Sequence, residues 1–138
     1  MVNPLETILL VDDEATVRRY ASRVLEKHGF EVLCASSGTD ALAAAEQRAG
    51  RIDLLLTDIM MPGMNGCALA ARMLAQQPSL RILFISGYAE DALADQLSAV
   101  ASAAFLGKPF KPKALVTKVR EVLDAPVGDS HRRLYDVS

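Results

Sequence analysis

Thr7-Ile8-Leu9-Leu10-Val11-Asp12-Asp13-Glu14 is the stretch on which the fold turns. Five β-prone apolar residues run without interruption and stop at two adjacent acids. Continuous apolarity, as opposed to alternation, predicts a strand covered on both faces. The period then changes. Over 14–28, Val17, Tyr20, Ala21, Val24 and Leu25 recur at steps of three and four, the stripe of an amphipathic helix. Gly29 follows as the residue that leaves that helix. A buried strand that hands over to an amphipathic helix is the opening of a βα unit.

The same handover recurs along the chain. Residues 30–35 predict a second strand, and Ser36-Ser37-Gly38 a turn with Ser37 or Thr39 as N-cap before an alanine-rich helix over 40–48. Residues 52–57 predict a third strand ending at Asp58, residues 60–66 a loop, and 67–77 a helix stopped by Pro78. Residues 81–85 predict a fourth strand ending at Ser86-Gly87, followed by a weakly amphipathic helix over 90–100. A short fifth strand over 103–106 runs into Gly107-Lys108-Pro109, and the last helix, 113–123, carries Leu115, Val116, Val119, Val122 and Leu123 on one face. Such alternation predicts an α/β fold, a flavodoxin-like (βα)5 doubly wound parallel sheet with helices on both faces. It forms one domain over residues 5–124. Residues 125–138 read as a short C-terminal tail, with no output domain.

Composition removes other classes. The 138 residues are 51% hydrophobic and 23% charged with a net charge of −2, ordinary for a globular domain and without a global pull towards nucleic acid or anionic lipid. Two cysteines, Cys34 and Cys67, cannot form a disulfide framework and are expected to pack as small apolar residues. No signal peptide is visible and no apolar run approaches the roughly 20 residues that span a bilayer, so a cytoplasmic location without membrane insertion is expected. Aromatics are 5% and tryptophan is absent, which argues against a stacking platform for single strands. No DNA-binding segment is present in the chain, and no direct DNA binding is expected.

In a parallel sheet all strand C-termini share one edge. The residues that end the apolar runs are Asp12-Asp13, Asp58, Ser86 and Lys108, from strands one, three, four and five. In the strand order 2-1-3-4-5, strands one and three are neighbours at the switch point, where helices depart to opposite faces and open a crevice. Three carboxylates flanking it repel one another unless a cation intervenes. Hard oxygen ligands suit Mg²⁺, and a carboxylate can accept a phosphoryl group as a covalent nucleophile. Phosphoryl transfer needs charge neutralisation and alignment above all, which a divalent ion and the Lys108 ammonium would supply.

At these residues the sequence resembles the receiver domains of bacterial two-component response regulators. The resemblance is carried by Val11-Asp12-Asp13-Glu14, by Asp58-Ile59-Met60-Met61-Pro62 with Gly66 eight residues past Asp58, by Ser86-Gly87, and by Lys108-Pro109-Phe110. It implies that Asp58 takes a phosphoryl group from the phosphohistidine of a histidine kinase or a histidine phosphotransfer protein. It also implies that Asp13, Asp58 and the Met60 backbone carbonyl bind Mg²⁺ directly, with Asp12 acting through water or placing the metal. Lys108 would pair with a phosphoryl oxygen, and the Lys108–Pro109 peptide would be cis. Phosphorylation would draw Ser86 inward and let Phe105 rotate into the space vacated. Phe105 keeps the packing half of a position where the family often has tyrosine. The readout would be the surface formed by the helix over 90–100, the fifth strand and the last helix, through homodimerisation or a downstream protein.

Each residue has a plainer reading. Asp12-Asp13 could cap the first helix, and Asp58 could be a turn residue. Met60, Met61 and Met64 are expected to be loop packing. Lys111, Lys113, Lys118 and Arg120 would be a solvated face, and His28 and His131 structural or incidental. Two other functions compete. A haloacid-dehalogenase-type phosphohydrolase would carry Asp-x-Asp after strand one, and a flavodoxin-like cofactor binder would need a phosphate-cradling loop there. This chain has adjacent acids at that place. A receiver assists only its own phosphorylation and dephosphorylation, so no turnover enzyme is expected. The Ser86-Gly87-Tyr88-Ala89 stretch resembles receivers attached to hybrid histidine kinases, so a single-domain regulator and a hybrid-kinase receiver both stand.

Overall fold

A computed structural model describes residues 5–48, 51–87 and 104–125. The described chain runs β1 (Thr7–Val11), α1 (Ala15–Lys27), β2 (Glu31–Ala35), α2 (Gly38–Gln47), β3 (Leu54–Asp58), α3 (Gly66–Gln76), β4 (Arg81–Ser86), β5 (Ala104–Gly107) and α4 (Pro112–Asp124). The helix expected over 90–100 and the tail after Ala125 lie outside the described residues. The five strands form one parallel sheet in the order β2-β1-β3-β4-β5, the expected doubly wound arrangement.

The uninterrupted apolar strands are explained by two cores, one on each face of the sheet. Successive strand side chains point to opposite faces. Leu9, Val11, Leu55, Ile82 and Phe84 join Leu69, Ala70, Met73 and Leu74 of α3 on one face. Ile8, Leu10, Leu54, Leu56, Leu83 and Ile85 join Ala21 and Leu25 of α1 and Leu115, Val119 and Leu123 of α4 on the other. Every residue of β1 and β3 is therefore buried. A charged residue in the middle of either strand would enter a core, so the charged residues collect where the strands end.

Local signals set the helix limits. Ser37 caps α2 by accepting the Asp40 N–H (3.1 Å), and Asn65 caps α3 by accepting the Ala68 N–H (2.9 Å). Gly29, at φ 92°, takes the left-handed conformation that ends α1. His28 closes the same turn, its Nδ1 2.9 Å from the Val24 carbonyl oxygen. Of the basic residues on the last helix, Arg120 is tied into the structure. It pairs with Glu6 and Asp124 and lies over the Phe30 ring. Cys34 departs from expectation. It is exposed, because β2 is an edge strand and its end faces Arg18 and Ser22 on the polar side of α1. Cys67 is half-buried, and burial raises the thiol pKa of both.

Candidate functional site: an acidic cluster at the sheet edge

The parallel register delivers the strand ends together. Val11 pairs with Thr57, Asp58 with Ile85, and Ser86 with Gly107. Asp12, Asp58, Ser86 and Lys108 are thus carried to one edge by four strands. Asp12 is fully buried, Asp58 is 3% exposed and Ser86 is 8% exposed, uncommon burial for such groups.

Backbone contacts hold the carboxylates in place. Asp12 Oδ1 accepts the Glu14 N–H at 2.9 Å, and Arg18 Nη1 donates to the Asp12 carbonyl oxygen at 2.6 Å, tying the β1–α1 loop to the helix it precedes. Asp58 Oδ1 accepts the Met60 N–H at 3.3 Å. The next turn lies against Asp58 itself: a β-carbon on Gly66 would stand 2.2 Å from the Asp58 carbonyl oxygen. Glycine is needed there for space, since α3 starts directly on the backbone of the acid.

Lys108 is the counter-charge. Its Nζ lies 3.0 Å from Asp58 Oδ2, 3.0 Å from Asp12 Oδ2 and 3.1 Å from Glu14 Oε1. The Lys108–Pro109 peptide is cis, and the Lys108 N–H donates to the Ser86 carbonyl oxygen at 2.8 Å, fastening the β5 end to β4. Burial alone would lower the Lys108 pKa. The neighbouring carboxylates of Asp58, Asp12 and Glu14 outweigh it and hold the pKa above the ordinary lysine value, so the ammonium stays charged across the neutral range.

Among the described residues one ammonium faces three carboxylates, which leaves surplus negative charge. Asp12 Oδ2 has Lys108 as an electrostatic neighbour but, among those residues, no partner in hydrogen-bonding geometry, although it is fully buried. Carboxylate oxygens of Asp12, Glu14 and Asp58 all lie within 4.8 Å of one another. A convergent set of hard oxygens with an unsatisfied buried lone pair fits a divalent cation. The surplus has a measurable consequence. Asp12→Asn is expected to stabilise the metal-free protein by about 1–2 kcal/mol, a rise of several degrees in the thermal midpoint. An unchanged or lower midpoint in chelator would contradict this account.

Asp13 is exposed, and its carboxylate is not among the converging oxygens. Glu14, which closes the first motif, supplies the third carboxylate around Lys108. A hint was present in the sequence: Glu14 stands at the N-cap of α1, where glutamate caps poorly, and it makes no side-chain capping bond. Met60 is exposed, whereas Met61 is buried in the α3-side core and Met64 packs against it. Phe105 is half-buried and stacks on Phe84 with ring centroids 5.6 Å apart. Tyr88 lies outside the described residues.

The comparisons with known proteins agree on one family. The model of the response regulator receiver domain matches residues 8–120. The sensor kinase CckA of Brucella abortus is 42% identical over 118 residues, which are 86% of this chain and 12% of that protein. The response regulator receiver protein CpdR of the same organism is 37% identical over 121 residues, 88% of this chain and 99% of CpdR. Among solved structures, the receiver domain from the hybrid histidine kinase CckA superposes with a TM-score of 0.72 at 36% identity, over 86% of this chain and 99% of that one. The Vibrio cholerae chemotaxis protein CheY4 gives 0.75 at 31% identity, over 86% and 99%. A match running from β1 into the last helix, with the same sheet beneath it, carries the resemblance of four short motifs to the whole domain: the chain belongs to the response regulator receiver domain family of two-component signalling.

Proposed function

We propose that Asp58 is the phosphoacceptor, taking a phosphoryl group from the phosphohistidine of a histidine kinase or histidine phosphotransfer protein in the presence of Mg²⁺. The observation that carries this reading is the buried Asp58 carboxylate 3.0 Å from the Lys108 ammonium, with Asp12 beside it. An Asp58 carboxylate oxygen forms a bond to phosphorus as the imidazole nitrogen–phosphorus bond breaks, and the imidazole leaves with the bonding pair. Asp12, Asp13, Asp58 and the Met60 backbone carbonyl are the groups that would hold the ion. Bound there, Mg²⁺ supplies positive charge to the acceptor and the transferring phosphoryl oxygens.

The chain's own residues do the rest. Lys108 donates a hydrogen bond to a phosphoryl oxygen. The Asp58 carboxylate is kept in place by the Met60 N–H, and the close seat of Gly66 fixes its backbone. The Ser86 hydroxyl, at the end of β4, is the donor for a second phosphoryl oxygen. Its movement would free Phe105 from its stack on Phe84 and alter the surface around β5. This is a population shift between two states, as large as their difference in affinity for the phosphoryl group. The unit is proposed to comprise residues 5–124, and its action on other proteins to be non-catalytic. No described helix is long and apolar enough to cross a membrane. The proposed place of action is the cytoplasm, where the phosphohistidine donor is made.

The test uses the purified protein with Mg²⁺ and acetyl phosphate. Intact mass is expected to rise by one phosphoryl group, stable in acid and labile in base, and peptide mapping after borohydride reduction is expected to place it on Asp58. A phosphoryl group elsewhere would overturn the assignment.

A further inference from the structure

Glu14 occupies a position whose ordinary use it forgoes. The first residue before α1 is where Ser, Thr, Asp or Asn would accept an N–H of the first turn, and Glu14 makes no such bond. Its side chain reaches instead to Lys108, 94 residues away, with Oε1 3.1 Å from Nζ. Lys108 Nζ donates to Glu14 and Asp58 and lies 3.0 Å from Asp12 Oδ2, so three carboxylates surround its ammonium. A phosphoryl oxygen arriving at Asp58 competes with them for that charge.

The three neighbours differ in the cost of giving way. Asp12 and Asp58 have side chains 0% and 4% exposed, out of reach of the water that would have to replace Lys108. The Glu14 side chain is 58% exposed and rehydrates as it leaves. We propose that Glu14 is a positioning residue, a latch that holds the Lys108 ammonium in the resting state and is displaced when a phosphoryl group enters. It acts through Lys108 and slows phosphorylation. The proposal rests on the reading of Asp58 as the acceptor.

The experiment compares wild type with Glu14→Gln and Glu14→Asp. Glutamine removes the charge and keeps the length. Aspartate keeps the charge at the pocket mouth and shortens the reach by one methylene. Both variants are expected to accelerate phosphorylation by acetyl phosphate about two- to fivefold, the span of an exposed ion pair. A Glu14→Asp protein with the wild-type rate would mean that Glu14 acts on the anionic donor through its charge alone, and would overturn the latch. A readout independent of turnover is the Lys108 side-chain nitrogen-15 signal in metal-free protein. It is expected to shift, with faster exchange of the ammonium protons, in both variants. Absence of any phosphoryl group on wild-type Asp58 would strike the underlying reading, whereas a phosphorylated wild type with unchanged variants would strike the latch alone.

Discussion

Asp58→Asn is expected to accept no phosphoryl group from acetyl phosphate in Mg²⁺, under conditions in which the native chain is modified once. The carboxamide lacks an anionic oxygen, and no other group among the described residues is placed to replace it. Asp12 is the nearest alternative, but it is fully buried and its Oδ1 is engaged by the Glu14 N–H. The variant is also expected to fold at least as stably as the native protein without metal. Removing one of three carboxylates leaves two around the Lys108 ammonium, relieving repulsion at little packing cost. The two outcomes together distinguish a lost acceptor from a damaged fold. An Asp58→Asn protein that still gains a phosphoryl group, with mapping to Asp12 or Glu14, would move the acceptor to a neighbouring strand end. One that is unmodified but unfolded would show that the carboxylate is needed structurally, against the surplus-charge account.

Most of the fold was legible because burial on both faces leaves an unmistakable trace. The β1 and β3 runs are uninterrupted since alternate residues enter different cores, and strand ends are marked by the first polar residue able to reach solvent or a partner. Parallel connection through helices then puts those ends on one edge, so the convergence of Asp12, Asp58, Ser86 and Lys108 could be expected without any view of a side chain. β2 was harder. At the sheet edge only Ala35 is buried, and Cys34, expected to be packed, is exposed. Strand order shows which strand is at the edge; composition does not show how far a helix will cover it.

The rotameric detail of the site was not legible. Whether Asp13 or Glu14 turns towards Lys108 depends on how α1 leaves the sheet, and that exit is set by one contact close by in sequence and one far along the chain. Arg18 takes the Asp12 carbonyl oxygen, and Tyr20 donates to the Phe110 carbonyl oxygen at 3.0 Å across the mouth between α1 and the segment after Lys108. Adjacent acids point in different directions, so one of the Asp12-Asp13 pair faces the cluster and the other faces solvent, while Glu14 returns to it. Spacing fixes the strand end and leaves open which carboxylates share a cation.

Gly66→Ala is expected to destabilise the protein by about 3 kcal/mol, lowering the thermal midpoint by roughly 10 °C, and to slow phosphorylation of Asp58 as well. The new methyl would stand 2.2 Å from the Asp58 carbonyl oxygen, 3.0 Å from its carbonyl carbon and 3.1 Å from the Ile59 α-carbon. All three are backbone atoms, so no rotamer change relieves the overlap. Either α3 moves off the sheet, opening the core around Leu69, Ala70 and Met73, or the end of β3 moves and carries the acceptor with it. The Gly66 N–H to Ile59 carbonyl bond, 2.8 Å, opposes the first course, and the pairing of Asp58 with Ile85 opposes the second. A glycine of this kind couples stability to chemistry, which separates it from Gly29. There the demand is the positive φ alone, with nothing within 4 Å of an added β-carbon, so Gly29→Ala should lower the midpoint by less and leave the phosphorylation rate unchanged. Thermal melts and acetyl phosphate kinetics on the two alanine variants check the contrast. A Gly66→Ala protein with native midpoint and native rate would show that α3 is not seated on the acceptor's backbone.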